Sequence, residues 1–92
     1  MDTVEIPYTL YLLRCSDGTL YTGITADLNR RIQEHNTSDK GAKYTRSRRP
    51  CISVYHEQLK NKSTALKREI AIKKMTKAKK EALLLNFTCN ML

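Results

Sequence analysis

The sequence predicts an α+β domain, a small three-stranded sheet flanked by helices in the order β-β-α-β-α-α. Three observations carry this. Two apolar runs, YTLYLLRC (8–15) and LYTGI (20–24), flank the turn sequence Ser16-Asp17-Gly18-Thr19, a hairpin pattern. A third β-rich run, CISVYHEQL (51–59), follows a polar break that Pro50 ends. Between and after these runs the apolar spacing lengthens to three or four residues, as helices require.

Taken in order, the hairpin brings Tyr11 and Tyr21 toward each other near the end remote from the turn. The chain breaks at Gly23, and Thr25 or Asp27 caps a helix that runs to about Asn36. Leu28 and Ile32 line one face of this helix; Arg31 and His35, four residues apart, share another. Residues 37–49, TSDKGAKYTRSRR, lose the pattern and read as a basic loop with room for a short helical turn. In the third strand Ile52, Val54 and His56 fall on one side, with Ser53, Tyr55 and Glu57 on the other. Ser63 or Thr64 caps a helix over Ala65–Met75, with Leu66, Ile70 and Met75 as its expected buried stripe. Lys77–Leu85 makes a second amphipathic helix through Ala78, Ala82 and Leu85, and the last residues, NFTCNML, are expected to fray.

Ninety-two residues suffice for one domain, 1–92, with its core over about 8–85. With one Phe and no Trp, that core must be built from Leu, Ile, Val and Tyr. No apolar run approaches the ~20 residues that span a bilayer. The N-terminus MDTVEIPYTL lacks a basic segment followed by an apolar one, so no signal peptide, no membrane association and a cytoplasmic location are expected. Cys15, Cys51 and Cys89 form no CxxC pair and, with His35 and His56, no zinc spacing; they read as reduced thiols, two in strands and one in the tail. The net charge of +8 argues for a polyanionic partner such as nucleic acid, and on charge alone a solubility device or attraction to an anionic membrane surface stands about level with it.

LYL at 10–12, YTG at 21–23, an arginine ten residues after Tyr21, and Glu69 within LKREIAIKKM on a later helix together resemble the GIY-YIG nuclease domain. The resemblance covers about Tyr8 to Leu85, and KGAKYTRSRRP is similar to the loop of small stand-alone bacterial members. Thr9-Leu10-Tyr11 stands where the family's first motif has GIY. The resemblance implies metal-dependent hydrolysis of a phosphodiester bond in nucleic acid, DNA in preference to RNA. Such chemistry needs a nucleophilic water, charge neutralisation at phosphorus and a stabilised leaving oxygen. By resemblance, Glu69 holds one divalent ion, Mg²⁺ or Mn²⁺, and Arg31 clamps the scissile phosphate with its planar fork. Tyr21 acts as general base or orients the water, Tyr11 supports it by hydrogen bonding, and His35 positions the water or a phosphate oxygen.

Each residue has a plainer reading. Tyr11 and Tyr21 could be half-buried strand aromatics, Arg31 a partner of Asp27, His35 a cation at a helix C-terminus, and Glu69 a partner of Arg68 or Lys73. Five residues matching in order favour the functional reading. Arg30, Lys40, Lys43, Tyr44, Arg46, Arg48 and Arg49 form the expected nucleic-acid-binding surface, mixing cations with an aromatic ring. The lysines from 73 to 80 read as a solvated helical face. The contrasting functions are a catalytically silent nucleic-acid-binding module on the same basic surface, and a protein-interaction domain that keeps only the fold.

Overall fold

The strands β1 (Tyr8–Arg14) and β2 (Leu20–Thr25) form the expected hairpin. Gly18 takes the left-handed conformation its turn demands, φ 85°, and Asp17 Oδ1 accepts from the Thr19 amide and hydroxyl at 3.1 and 2.6 Å. In this computed structural model, which describes residues 5–91 and side chains through Phe87, five further elements follow. They are α1 (Leu28–Thr37), α2 (Lys43–Arg46), β3 (Ile52–Leu59), α3 (Lys62–Lys73) and α4 (Lys77–Met91). The sheet is antiparallel throughout, in the order β2-β1-β3.

Because β1 is central and covered on both faces, Leu10, Tyr11, Leu12 and Leu13 are all buried. That explains its continuous apolar run where a half-exposed strand would alternate. Leu10 and Leu12 join Tyr55, Ile72 and Leu84 on the face under α3 and α4, with Leu20, Ile24, Met75 and Phe87 at the margin. Tyr11 and Leu13 join Cys15 and Cys51 on the opposite face, closed by Tyr21, Leu28 and Ile32. Cys15 and Cys51 lie just outside the strand ends as buried free thiols, Sγ to Sγ 3.5 Å; Cys89 falls outside the described side chains.

Expectations about three elements of the second half need correction. In β3 the buried residue is Tyr55, while Ile52 and His56 are exposed. The register slips between Leu12 and Leu13, pairing Leu12 with Tyr55 and Leu13 with Ser53, so Val54 is the extra residue of a bulge and strict alternation fails. In α3 the buried stripe is Ala65 and Ile72, not Leu66 and Ile70, which face outward, while Met75 does pack on the core. Its cap is Asn61, whose Oδ1 accepts from Thr64 N at 2.8 Å, rather than Ser63 or Thr64. The helix is thus rotated by about one residue, which sets small Ala65 against the sheet and carries Glu69 onto the inner side between Ala65 and Ile72. In α4, Leu84 is buried and Leu83 and Phe87 pack beside it, whereas Ala78, Ala82 and Leu85 are exposed; the helix also continues beyond Leu85 through Met91.

Candidate active site

The polar side of the sheet is assembled around Tyr11. Its ring lies across Gly23, the residue it faces on β2, and a Cβ at that position would come within 2.6 Å of Tyr11 Cζ. Glycine is therefore required by the close approach of a side chain. The Tyr11 hydroxyl lies 2.8 Å from His35 Nε2, and His35 Nδ1 lies 2.8 Å from Thr45 Oγ1. All three residues are buried. The hydrogen bond of Tyr11 thus goes to His35 and not, as the sequence suggested, to Tyr21.

Burial pushes the Tyr11 hydroxyl up to about 12, with the Tyr21 and Glu69 charges adding to the rise and the adjacent Arg31 guanidinium opposing it. Burial, helped by Arg31 and Arg49 and opposed by Glu34, pulls His35 down to about 4. His35 is a neutral, buried imidazole near pH 7, not the helix-end cation of the plainer reading. Because burial raises the affinity of Tyr11 for its proton and lowers that of His35, moving the Tyr11 proton onto the ring runs uphill. The pair therefore orients a hydroxyl and does not relay a proton.

Tyr21 stands beside this pair, its ring edge-on to His35 at 5.1 Å and stacked on Tyr44 at 5.9 Å. Among the described residues its hydroxyl has no hydrogen-bond partner. Arg31 approaches Tyr11 from α1 while its Nη1 donates to Glu34 Oε1 at 2.9 Å and to the Lys40 carbonyl at 2.8 Å. Asp27, the expected alternative partner, instead caps α1 by accepting from Arg30 N. Glu69 reaches the site from α3, close enough for its charge to bear on Tyr11; its side chain is 17% exposed and Lys73 Nζ lies 3.5 Å from Oε2. Arg68 is engaged elsewhere, with Glu57 at 2.6 Å. Tyr11, Tyr21, Arg31 and His35 are therefore brought to one place from β1, β2 and α1, with Glu69 on α3 within electrostatic range of Tyr11.

The basic segment divides into two groups. Arg49 donates to the His35 and Ser38 carbonyls at 2.6 Å each, closing the C-terminus of α1. Arg48 lies 3.8 Å over the Tyr44 ring and binds Asp17 Oδ2 at 3.0 Å. Tyr44 is thus held between Arg48 and Tyr21 and anchors the segment to the site. Lys40, Lys43 and Arg46 are exposed, and among the described residues their side chains have no partner. Arg30 is exposed beside Glu34 at 3.3 Å.

Residues 7–82 match the profile of the GIY-YIG catalytic domain. The chain belongs to the GIY-YIG family. GIY-YIG domains are nuclease domains. The UPF0213 protein DP2720 of Desulfotalea psychrophila is 55% identical over 89 residues, covering 90% of this chain and 81% of the relative. The UPF0213 protein VNG_2274C of Halobacterium salinarum is 51% identical over 74 residues, covering 80% and 95%. Among solved structures, the protein EF2693 of E. faecalis overlays with a TM-score of 0.62 at 42% identity, covering 90% of this chain and 88% of that one. The UPF0213 protein BH0048 of Bacillus halodurans gives 0.55 at 42% identity, covering 85% and 82%.

Within this GIY-YIG domain, Thr9-Leu10-Tyr11 preserves the tyrosine of the first motif and places its hydroxyl in the cluster. A single divalent ion fits the donors present. Glu69 offers one hard oxygen ligand at the edge of the cluster, and waters with phosphate oxygens would complete a Mg²⁺ shell. No group of three or more His, Cys, Asp or Glu that could hold a metal occurs among the described residues, so an all-protein cage does not fit. No helix among them is long and apolar enough to cross a membrane.

Two site-supporting residues were missed in the sequence. Thr45 is the one small β-branched residue in a run of cations, and that contrast is the signal that it turns inward. Asn36 bridges α1 to the start of β3, donating to the Cys51 carbonyl at 2.9 Å and accepting from Cys51 N at 2.7 Å. Its sequence neighbourhood carries no comparable signal.

Proposed function

We propose that this chain is a metal-dependent endonuclease hydrolysing phosphodiester bonds of nucleic acid, DNA in preference to RNA. The observation that carries the reading is the convergence of a free tyrosine hydroxyl, a guanidinium and a carboxylate around the buried Tyr11–His35 pair. Arg31, its plane fixed by Glu34 and the Lys40 carbonyl, binds the scissile phosphate. Tyr21, whose hydroxyl is free, orients the attacking water or takes its proton. Tyr11 holds its own proton too tightly to serve as the base and instead fixes the geometry around Arg31. Glu69 would hold the divalent ion, which when bound neutralises charge on the phosphate oxygens. Lys40, Lys43 and Arg46 lie free to track the backbone of the substrate.

The test is cleavage of labelled single-stranded DNA, branched DNA and RNA by wild type and Glu69→Ala, with Mg²⁺, Mn²⁺ or EDTA. The expected result is metal-dependent cutting by wild type and a loss of at least about a thousand-fold, ~4 kcal/mol, in the variant. Equal cutting by both would remove Glu69 as the metal ligand. Salt-sensitive binding without cutting by either would overturn the enzyme reading in favour of the silent binding module.

A further inference from the structure

The buried chain Thr45–His35–Tyr11 fixes more than a ring position. Thr45 hangs from the basic turn, yet it is fully buried, and its hydroxyl donates to the Ala42 carbonyl at 2.9 Å. With its one proton so directed, Oγ1 turns a lone pair toward His35 Nδ1 at 2.8 Å. Nδ1 then carries the imidazole hydrogen, and Nε2 accepts from the Tyr11 hydroxyl at 2.8 Å.

The opposite tautomer has one contact in its favour, the Ala42 amide pointing at Nδ1 from 3.4 Å. It would, however, strand the Tyr11 proton. Nε2–H would then donate to the Tyr11 oxygen, and among the described residues no acceptor other than Nε2 lies within hydrogen-bond distance of the Tyr11 hydroxyl. A buried hydroxyl without an acceptor is costly, so the shorter contact decides.

We propose that Thr45 is a positioning residue of the nuclease site: it holds His35 as the Nδ1–H tautomer, which turns the Tyr11 proton inward and leaves the Tyr11 lone pairs facing Arg31. The consequence for the reaction rests on the nuclease reading; the tautomer itself does not. A Tyr11 oxygen that only accepts is matched to the cation that binds phosphate. One that points its proton at Arg31 would push the guanidinium away.

The experiment is ¹⁵N–¹H NMR of the histidine ring nitrogens in wild type, Thr45→Val and Thr45→Ser, together with kcat and KM for DNA cleavage. Wild type and Thr45→Ser are expected to show His35 protonated at Nδ1. In Thr45→Val the acceptor is gone and only the Ala42 amide faces Nδ1, so His35 is expected to switch to the Nε2–H form, with kcat down about ten-fold and KM unchanged. An Nε2–H histidine in wild type, or an unchanged tautomer in Thr45→Val, would overturn the proposal. Should Thr45→Val fail to fold, the wild-type and Thr45→Ser spectra still decide the tautomer. A tautomer switch in a chain without nuclease activity would sink the enzyme reading and leave the positioning role of Thr45 standing.

Discussion

Under α3 and α4, β1 contributes Leu10 and Leu12 to a cluster made of Tyr55, Ile72, Leu84 and their apolar neighbours. On its other face the same strand contributes Tyr11 and Leu13, and there the buried company includes His35, Thr45 and two thiols. Both faces are closely covered, but they answer to different rules. Aliphatic contacts are non-directional, so the first face tolerates exchange at roughly constant volume. On the second, each buried polar atom needs a particular partner, and the loss of one leaves another unsatisfied. The strand thus places stability on one side and chemistry on the other.

The largest effect on this contrast should come from the aliphatic side. Leu12 is fully buried at the centre of the sheet, and Leu12→Ala is expected to cost about 3 kcal/mol, a large share of what so small a domain has. Leu12→Met, nearly conserving volume, should cost under about 1.5 kcal/mol. Urea unfolding of both variants measures the difference. Similar losses would mean that this face, too, depends on shape in detail.

The polar side should respond to acid almost as strongly. An unfolded histidine titrates near 6.5 and folded His35 near 4, so between those values only the unfolded chain takes up the extra proton. Stability is therefore full above about pH 6.5 and falls as the pH drops toward 4, by at most about 3 kcal/mol. The titratable and charged groups facing His35 are Tyr11 from β1, Tyr21 from β2, Arg31 and Glu34 from α1, and Arg49 from the basic segment. Of these, Glu34 is a carboxylate held below its usual range, as Asp17 and Glu81 also are, so these acids lose their contributions at still lower pH. Denaturant midpoints from pH 7 to 4.5 should drop in wild type and stay flatter in His35→Gln. An equal slope in both would remove His35 as the source.

What the sequence disclosed follows the same division. The hairpin, α1 and the approach of Tyr11, Tyr21, Arg31 and His35 were legible because each signal is local (turn chemistry, a cap, a four-residue spacing), whereas Glu69 was reached only through the resemblance to GIY-YIG domains. The bulge at Val54 and the rotation of α3 were not, since both are settled by how distant elements pack. Apolar residues at 65, 66, 70 and 72 surround much of the α3 helix, so periodicity alone could not choose the inner face. With Ala65 and Ile72 turned against the sheet, Leu66 and Ile70 face outward and Glu69 comes within electrostatic range of Tyr11.

The basic segment shows the same limit at the scale of neighbouring arginines, and supplies the smallest expected effect. Arg46 and Arg49 look equivalent in TRSRR, but Arg49 closes α1 through two 2.6 Å hydrogen bonds while Arg46 projects freely. Arg49→Ala should cost about 2 kcal/mol of stability, because charged donors at helix-end carbonyls are lost and those carbonyls are left partly buried. Arg46→Ala should change stability by less than about 0.5 kcal/mol. It should instead weaken DNA binding across all sequences and lower the slope of log K against log salt by about one. Thermal unfolding and a salt titration of binding on the two variants separate the roles. If Arg46→Ala left the salt slope unchanged while Arg49→Ala reduced it at full stability, the assignment of scaffold and substrate contact would have to be reversed.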